Sequence, residues 1–269
     1  MTDSLEEIAA EIRRRIVNYS AATKTPHLGS CLSCVDILTV LYFDLLRIDP
    51  KQPKAPDRDR LILSKGHAAP ALFQFLAMKG FFPYEDLLNS DHHNGGLFGE
   101  HPPTPDHLAG IEAATGSLGH GMPMGVGMAL AARIKQTPYK VYAVLGDGEC
   151  NEGSIWEAAM FAAAQKLDNM TIVVDYNKWQ ATGRTQEVLE IEPLADKWSS
   201  FGWDVCEVDG HNIAALQGAL KAQTKGKPKA IIAHTVKGKG VSFMEDDNNW
   251  HYRTPNSEEL AAAMLQLDR

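Results

Sequence analysis

The chain has 269 residues, 44% of them hydrophobic and 22% charged, which is enough for one large α/β domain or two small ones. Its formal net charge of -8 at pH 7 argues against a nucleic-acid-binding surface and against attachment to an anionic membrane. No apolar run approaches the length that crosses a bilayer, and the amino terminus is acidic where a signal peptide would be basic, so we expect a soluble, cytoplasmic protein.

The first predicted element is an amphipathic helix. Ser4 and Glu7 have the spacing of a capping box, and apolar residues recur every three or four positions after them. The helix should end near Lys24-Thr25-Pro26, because proline cannot continue it. His27 follows at the mouth of a second helix, and the apolar residues of the segment 32–46 predict that this helix is buried.

Four cysteines do not make a disulfide framework in a chain of this length: Cys31, Cys34, Cys150 and Cys206. Cys31 and Cys34 have the spacing of a redox motif or of half a metal site. No second pair completes a metal site, and the surrounding segment predicts a buried helix. This context favours two core thiols without a redox role.

A charged surface loop over residues 49–60 is predicted to precede the first strand, which covers residues 60–63. The strand leads into the turn Ser-Lys-Gly-His-Ala at residues 64–68. A single histidine at a strand end is usually structural. His67, however, lies at the carboxyl end of a predicted strand, where open α/β sheets bind ligands.

The segment 89–107 is rich in glycine and proline and carries four histidines: His92, His93, His101 and His107. Such a cluster could form a zinc site. The prolines and glycines better describe a rigid loop that carries one or two histidines into a pocket.

A second glycine-rich segment covers residues 115–121. No strand precedes these glycines, and their spacing differs from that of a dinucleotide-binding fingerprint. Gly125 and Gly127, in the alanine-rich segment that follows, instead predict a helix that packs closely against its neighbours.

The stretch 141–183 predicts a βαβ unit. Two valine-rich apolar runs flank an alanine-rich helical pattern, and Asp147 and Asn177 follow the ends of the two runs, about thirty residues apart. Both side chains should therefore meet at the carboxyl edge of a parallel sheet, where their oxygens suit a divalent cation that holds a diphosphate. Ser154 and Glu157 predict a capping box for the helix. A purely structural Gly-Asp-Gly turn is the alternative.

Two further strands are predicted at residues 204–208 and 230–235, with a helix between them over residues 213–225, capped by Asn212. The sequence from Val236 onward is predicted to be an extended tail. We therefore expect one domain, residues 1–269, with a helical amino-terminal segment and an extended carboxy-terminal tail.

Six segments resemble motifs of the transketolase family and occur in the same order: residues 27–29, 64–68, 99–102, 115–119, 146–177 and 250–251. Tyr176 precedes Asn177 where many members carry paired polar residues, and the asparagine itself is intact. The resemblance covers nearly the whole chain. It implies a parallel sheet sandwiched by helices, with the thiamine diphosphate-binding fold of the family's diphosphate-binding domain.

The resemblance also implies a role for each matching residue. Asp147, Asn177 and the main-chain oxygen of Trp179 would bind Mg²⁺, or Ca²⁺, which ligand type alone does not separate. The catalytic residues would be the histidines that hydrogen-bond the sugar and move its protons: His27, His101 and His251. The cofactor-binding residues would be His67, Gly116, Ser117, Leu118, Gly146, Gly148, Glu149, Glu152, Asn177 and His251, with Glu152 also coupling neighbouring active sites.

Complete transketolases continue with a pyrimidine-binding domain and a carboxy-terminal domain, which this chain lacks. The resemblance thus implies the amino-terminal subunit of a split transketolase. It would transfer a two-carbon ketol unit between sugars or sugar phosphates, but only with a carboxy-terminal partner subunit, in a heterotetramer of two copies of each. The alternatives are the alpha subunit of a thiamine diphosphate-dependent 2-oxo acid dehydrogenase or decarboxylase, and a non-catalytic cofactor-binding partner.

Overall fold

A sheet of five parallel strands forms the centre of the protein. The computed structural model describes residues 3–89 and 95–268. The strands are β1 (Arg60–Leu63), β2 (Val141–Gly146), β3 (Met170–Tyr176), β4 (Asp204–Asp209) and β5 (Lys229–His234). They lie in the order β1-β2-β3-β5-β4, and each neighbouring pair is parallel. The predicted α/β fold with a parallel sheet is confirmed.

Helices cover both faces of this sheet. In the described part of the chain they are α1 (Leu5–Thr23), α2 (Leu28–Ser33), α3 (Val35–Val40), α4 (Ala69–Lys79), α5 (Tyr84–Leu88), α6 (Gly121–Ile134), α7 (Gly153–Ala164), α8 (Thr185–Val188), α9 (Leu194–Ser200), α10 (Ile213–Lys221) and α11 (Ser257–Leu267). Every residue of β2 is buried, and its side chains alternate between two apolar clusters, with Val144 in one and Ala143 in the other. This two-sided burial explains the continuous valine-rich runs in the sequence.

The amino-terminal helix forms as predicted. The backbone N–H of Glu7 donates to Ser4 Oγ (3.2 Å), and the backbone N–H of Ser4 donates to the Glu7 carboxylate (2.6 Å). The helix ends at Thr23, and Lys24 adopts the left-handed conformation that often terminates helices. The predicted capping box of α1 and the predicted end of the helix are both confirmed.

The single buried helix expected over residues 32–46 is divided into α2, α3 and a π-helical turn, Leu41–Leu45. The break between α2 and α3 falls at Cys34, whose backbone leaves the helical region. Burial raises the pKa values of the Cys31 and Cys34 thiols to about 12, so both remain protonated near neutral pH. Because thiolates carry cysteine redox chemistry, these thiols are core residues.

The capping box predicted at Ser154 and Glu157 is wrong. A turn of 3₁₀ helix, Gly148–Asn151, follows β2, and α7 begins only at Gly153 with Glu152 as its N-cap. Ser154 therefore already lies in the first turn of the helix. Its hydroxyl donates to the carbonyl of Gly119 (2.8 Å), so it fastens the glycine-rich loop instead of capping the helix.

The carboxy-terminal tail is not extended as predicted, because it ends in α11. Asn256 caps this helix, and Asn256 and Glu259 form a reciprocal capping box that was not predicted from the sequence. The apolar side of α11 packs against α1 and buries Ala263. Asn212 caps α10 as predicted, but α10 ends at Lys221 and not at residue 225. The Lys229 ammonium donates to main-chain carbonyls at this carboxyl end.

Gly125 makes the close helix contact that was predicted for it, because a Cβ there would lie 3.2 Å from Met170; Gly127 has open space around it. His92 and His93 lie outside the described residues. Among the residues that the structure describes, no group of three or more histidine, cysteine or acidic side chains could hold a metal ion. Within residues 3–89 and 95–268, no helix has both the length and the apolar character needed to cross a membrane.

Candidate functional site

A cavity of about 280 Å³ opens at the carboxyl edge of the sheet. The register of β2 and β3 pairs Gly146 with Asp175, so both strands end at the same level. Nine of the residues predicted to form the site line this cavity: His67, Leu118, Gly146, Asp147, Gly148, Glu149, Asn177, Trp179 and His251. The sheet thus brings together residues that are far apart in the chain.

Asp147 and Asn177 face the same cavity and are linked through the backbone between β3 and α8. Asp147 Oδ2 accepts from the N–H of Lys178 (2.9 Å) and from the hydroxyl of Thr185 (2.7 Å). Asn177 Oδ1 accepts from the N–H of Trp179 (3.1 Å). These contacts hold the Asp147 carboxylate and the Asn177 amide oxygen, and both residues line the same cavity, at the sheet edge that the βαβ pattern predicted.

The electrostatics of Asp147 fit a cation. The side chain is 1% exposed. Burial raises its pKa to about 7, and the neighbouring Asp175 adds to the effect, while the hydrogen bond from Thr185 acts in the opposite direction. A buried carboxylate is stabilised by a cation. The donor set of carboxylate, amide and main-chain oxygens is the set that Mg²⁺ and Ca²⁺ prefer.

Three predicted histidines form a compact cluster. The ring centroids of His27 and His251 lie 4.9 Å apart, those of His27 and His67 5.4 Å apart, and those of His67 and His251 5.6 Å apart. His101 is exposed, with its ring 6.2 Å from that of His27. The chain therefore gathers the four histidines around one point, although His27 and His101 do not line the cavity itself.

Burial keeps the three clustered histidines neutral near pH 7. It lowers the pKa of His27 to about 4 and that of His251 to about 3, and nearby positive charges contribute to both shifts. The pKa of His67 is also well below its ordinary value, chiefly because of burial. Nδ1 of His27 is buried and has no hydrogen-bond partner among the described residues. Neutral imidazoles can accept a proton or a hydrogen bond from a ligand.

Of the remaining predicted residues, three do not line the cavity, and Glu149 lines it as a buried carboxylate. Gly116 lies under the ring of His101, which a Cβ would approach to 3.3 Å. Ser117 is exposed, and Glu152 is exposed at the N-cap of α7. Glu149 is buried, accepts from the hydroxyl of Ser64 and from the N–H of Gly119 (2.9 Å), and has a pKa raised by burial. Its contacts fix the glycine-rich loop at the cavity.

The sequence motifs gave no role to a buried ion pair at this edge. Lys65 donates to the carboxylate of Asp175 and to the carbonyl of Ser30 (3.0 Å). Burial alone would lower the pKa of Lys65, but the Asp175 carboxylate more than offsets it and raises the pKa. Asp175 also accepts from Ser33 (2.6 Å) and from Thr235. The pair ties β1, β3, β5 and α2 together, and Lys65 itself borders the cavity.

A second buried lysine was also missed. Lys237 is 1% exposed and donates to Asn248 Oδ1 (2.6 Å) and to His251 Nδ1 (3.1 Å). Burial lowers its pKa to about 8, as does the charge on Lys65. A signal existed in the sequence. Lys237 comes three residues after β5, at the same edge of the sheet that identified Asp147 and Asn177.

The parallel sheet and the convergent polar groups at its carboxyl edge define a small-molecule-binding α/β enzyme domain. The chain matches the family described as "Transketolase, thiamine diphosphate binding domain" over residues 5–267. The chain belongs to the transketolase family, and its predicted thiamine diphosphate-binding fold is confirmed. It is a transketolase subunit of the amino-terminal kind.

Similar proteins fall into two groups. The chain is 41% identical to an apulose-4-phosphate transketolase subunit of Phocaeicola vulgatus, over 98% of this chain and 94% of that protein. It is 44% identical to the 6-deoxy-6-sulfo-D-fructose transketolase subunit SqwG of a Clostridium species, over 98% and 96%. The transketolase structure from Leishmania mexicana matches with a TM-score of 0.92 at 28% identity, over 100% of this chain and 42% of that one.

The chain covers different shares of the subunit relatives and of the Leishmania transketolase. The chain spans about 42% of the Leishmania transketolase but 94% of the Phocaeicola subunit. The alignment thus covers nearly all of the subunit relative and less than half of the Leishmania protein. These relatives are all transketolases or their subunits, so they do not favour the 2-oxo acid dehydrogenase alternative.

Proposed function

We propose that this chain binds thiamine diphosphate through Mg²⁺ and, with a separate carboxy-terminal subunit, transfers a two-carbon ketol unit from a ketose or ketose phosphate to an aldose or aldose phosphate. The observation that supports this most is the joint position of Asp147 and Asn177 on one cavity. Asp147, Asn177 and the main-chain oxygen of Trp179 would hold the cation, which would neutralise the diphosphate. Ca²⁺ fits the same donors.

The bound cofactor would supply the carbon nucleophile of the reaction, and the protein would supply position and charge. His67 and Gly148 border the cavity, where they would contact a diphosphate. His251 accepts at Nδ1 from Lys237, which leaves Nε2 as its N–H and makes it a hydrogen-bond donor.

Proton transfer at the sugar hydroxyls is proposed for His27, His101 and His251. His27 adopts a left-handed backbone conformation (φ 69°), and its backbone N–H donates to the backbone carbonyl of His251 (2.8 Å). This bond holds the two rings together. Because buried His27 is neutral near pH 7, it can accept a proton from a hydroxyl and return it later.

The two relatives that are named as transketolase subunits, at 41% and 44% identity, support a two-subunit enzyme. We propose a heterotetramer with two copies of each subunit, in which this chain forms one domain, residues 1–269, and acts in the cytoplasm. Gly116, Ser117, Leu118, Gly146, Glu149 and Glu152 would shape the cofactor site and its contact with neighbouring subunits. The sugar remains a class, since the two subunit relatives carry names with different sugars.

The test is reconstitution with the partner subunit, recovered by co-purification. Ketol transfer is measured for the two subunits separately and for the mixture, with thiamine diphosphate, Mg²⁺, a ketose phosphate and an aldose phosphate. We expect turnover only from the mixture. Robust transfer by this chain alone would refute the split-site proposal, and oxidative decarboxylation of pyruvate without ketol transfer would support the 2-oxo acid alternative.

A further inference from the structure

A chain of buried polar groups runs from α1 to the segment that carries Lys237. Arg13 donates to both carboxylate oxygens of Asp36, at 3.1 and 2.6 Å. His211 Nδ1 lies 2.7 Å from Asp36 Oδ2, and the backbone N–H of Val236 donates to His211 Nε2 (2.8 Å). These side chains lie outside the cavity and have no role in the proposed chemistry.

The Asp36 carboxylate determines which atoms donate and which accept in this row of buried polar groups. Burial would raise the pKa of Asp36, but the hydrogen bonds from His211 and Arg13 hold it below its ordinary value. The ionised carboxylate can only accept, so the proton of a neutral His211 lies on Nδ1. Nε2 is then the acceptor for the N–H of Val236. The carboxylate thereby fixes the tautomer of the imidazole.

The peptide that His211 holds leads directly to Lys237. On one side, the hydroxyl of Thr235 donates to Asp175. On the other, the N–H of Gly238 donates to the carbonyl of Gly29 (2.9 Å), and Gly238 has φ 80° with no room for a Cβ, which would lie 2.2 Å from the carbonyl oxygen of Met244. Four consecutive residues are thus fixed at the sheet edge. The carbonyls of Val236 and Lys237 accept from the N–H groups of Lys239 (3.2 Å) and Asp246 (2.8 Å), and the N–H of Val236 has His211 as its acceptor.

We propose that His211 is a positioning residue for the cofactor site: by accepting from the Val236 N–H, it holds the backbone that keeps the Lys237 ammonium in contact with the cavity-lining His251. The ligand class is the diphosphate of the proposed cofactor, and the inference rests on the proposed function. His211 itself touches no ligand. Its action passes through one peptide bond to a cation that contacts His251.

The geometry favours this role over a purely structural one. Arg13 and Asp36 form two hydrogen bonds of their own, whereas the Val236 N–H has His211 as its acceptor. His211 lies in the turn before α10 with its side chain only 13% exposed, and its two ring nitrogens contact Asp36 and the Val236 N–H. A residue that only filled space would not place a ring nitrogen within 2.8 Å of a particular amide.

Two substitutions separate the two hydrogen bonds of His211. In His211→Gln, the amide oxygen reaches the position of Nε2 and can still accept from Val236. In His211→Asn, the shorter amide reaches the position of Nδ1, donates to Asp36, and leaves the Val236 N–H without its acceptor. Both are tested in the reconstituted two-subunit enzyme, in the presence and absence of Lys237→Met.

The primary measurement is the dissociation constant of thiamine diphosphate in the presence of Mg²⁺. Loss of one oriented hydrogen bond should weaken binding about tenfold in His211→Asn and by less than about twofold in His211→Gln. In the Lys237→Met background, His211→Asn should change affinity by less than about twofold, because the group it positions is gone. Amide hydrogen exchange at Val236 should accelerate in His211→Asn but not in His211→Gln.

Equal weakening by His211→Asn with and without Lys237 would overturn the proposal, as would equal effects of the two His211 variants. Unfolding of both His211 variants would also overturn it, since the residue would then be structural. Absence of saturable binding by the wild-type enzyme would instead refute the proposed function, and the positioning role would fall with it.

Discussion

Two lysines at the same edge of the sheet are buried to the same extent, yet their surroundings differ. Lys65 follows β1, and Lys237 follows β5; each is 1% exposed. Lys65 is paired with Asp175, and its pKa is raised by that carboxylate against the effect of burial. Lys237 contacts an amide oxygen and an imidazole, and burial lowers its pKa to about 8. The charge of Lys65 is thus balanced by a carboxylate, whereas Lys237, among the described residues, contacts only uncharged groups.

This difference indicates what each lysine is for. An ammonium paired with a buried carboxylate stabilises the fold, and its removal leaves a charge without a partner. An ammonium without a carboxylate contact among the described residues is poorly stabilised until an anion binds nearby. We therefore assign a structural role to Lys65, although it borders the cavity. We propose that Lys237, which contacts the cavity-lining His251, helps to stabilise the diphosphate.

The largest effect should come from replacing Lys65, the lysine that is paired with Asp175. Lys65→Met leaves Asp175 buried without its cation and should lower the free energy of unfolding by about 3–5 kcal/mol. Chemical denaturation measures the loss. Lys237→Met serves as the comparison and should lose less than about 1 kcal/mol, because no buried carboxylate depends on it. Equal losses would remove the distinction between the two lysines.

The second-largest effect is expected on cofactor binding when Lys237, the lysine without a carboxylate contact among the described residues, is replaced. Lys237→Met should weaken thiamine diphosphate binding by about 10-fold to 100-fold, since a charge-assisted contact is lost. Calorimetry in the presence of Mg²⁺ measures the change. Lys239→Met is a matched control two residues away, where the ammonium is partly exposed and paired with Glu245 at 3.5 Å. Wild-type affinity in Lys237→Met would exclude Lys237 from the diphosphate site.

A pH titration sharpens the same comparison. With a lowered pKa of about 8, Lys237 is cationic below pH 8 and loses its charge as the pH rises. Diphosphate affinity should therefore be highest below pH 8 and fall above it by up to about tenfold per pH unit. Lys237→Arg keeps its charge and should remove this decline. An unchanged decline in that variant would assign the titration to another group.

The smallest effect is expected at the rim of the cavity. Arg184 pairs with Asp246 through two hydrogen bonds of 2.6 Å and stacks on Trp179, but both charged groups are partly exposed. Solvent screening limits such a pair to about 1 kcal/mol or less. Arg184→Ala should thus change the free energy of unfolding by less than this amount in denaturant titrations. A loss comparable to that of Lys65→Met would show that exposure is a poor guide here.

Local sequence signals predicted most of the fold. The valine-rich runs, the Ser4 capping box and Asn212 identified strands and helix starts, because each acts within a few residues. The βαβ rule also predicted that Asp147 and Asn177 meet. The Ser154 capping box failed because a 3₁₀ turn after β2 delayed the start of α7, which residue spacing does not reveal.

The remaining features depend on contacts between distant segments. The histidine cluster and the ion pair of Lys65 with Asp175 require the folded sheet, and no local pattern marks them. Lys237 could have been found, because it follows a predicted strand at the ligand-binding edge. Lys237 follows β5 as His67, Asp147 and Asn177 follow β1, β2 and β3.

Binding calorimetry with thiamine diphosphate and Mg²⁺, on the assembled enzyme with wild-type chain or Asp147→Ala, tests the central claim most directly. Asp196→Ala, an exposed carboxylate of α9, is the matched control. We expect saturable, Mg²⁺-dependent binding that Asp147→Ala weakens by about 100-fold or more and that the control leaves unchanged. Equal affinities for wild type and Asp147→Ala would contradict the assignment of this sheet edge as the cofactor site.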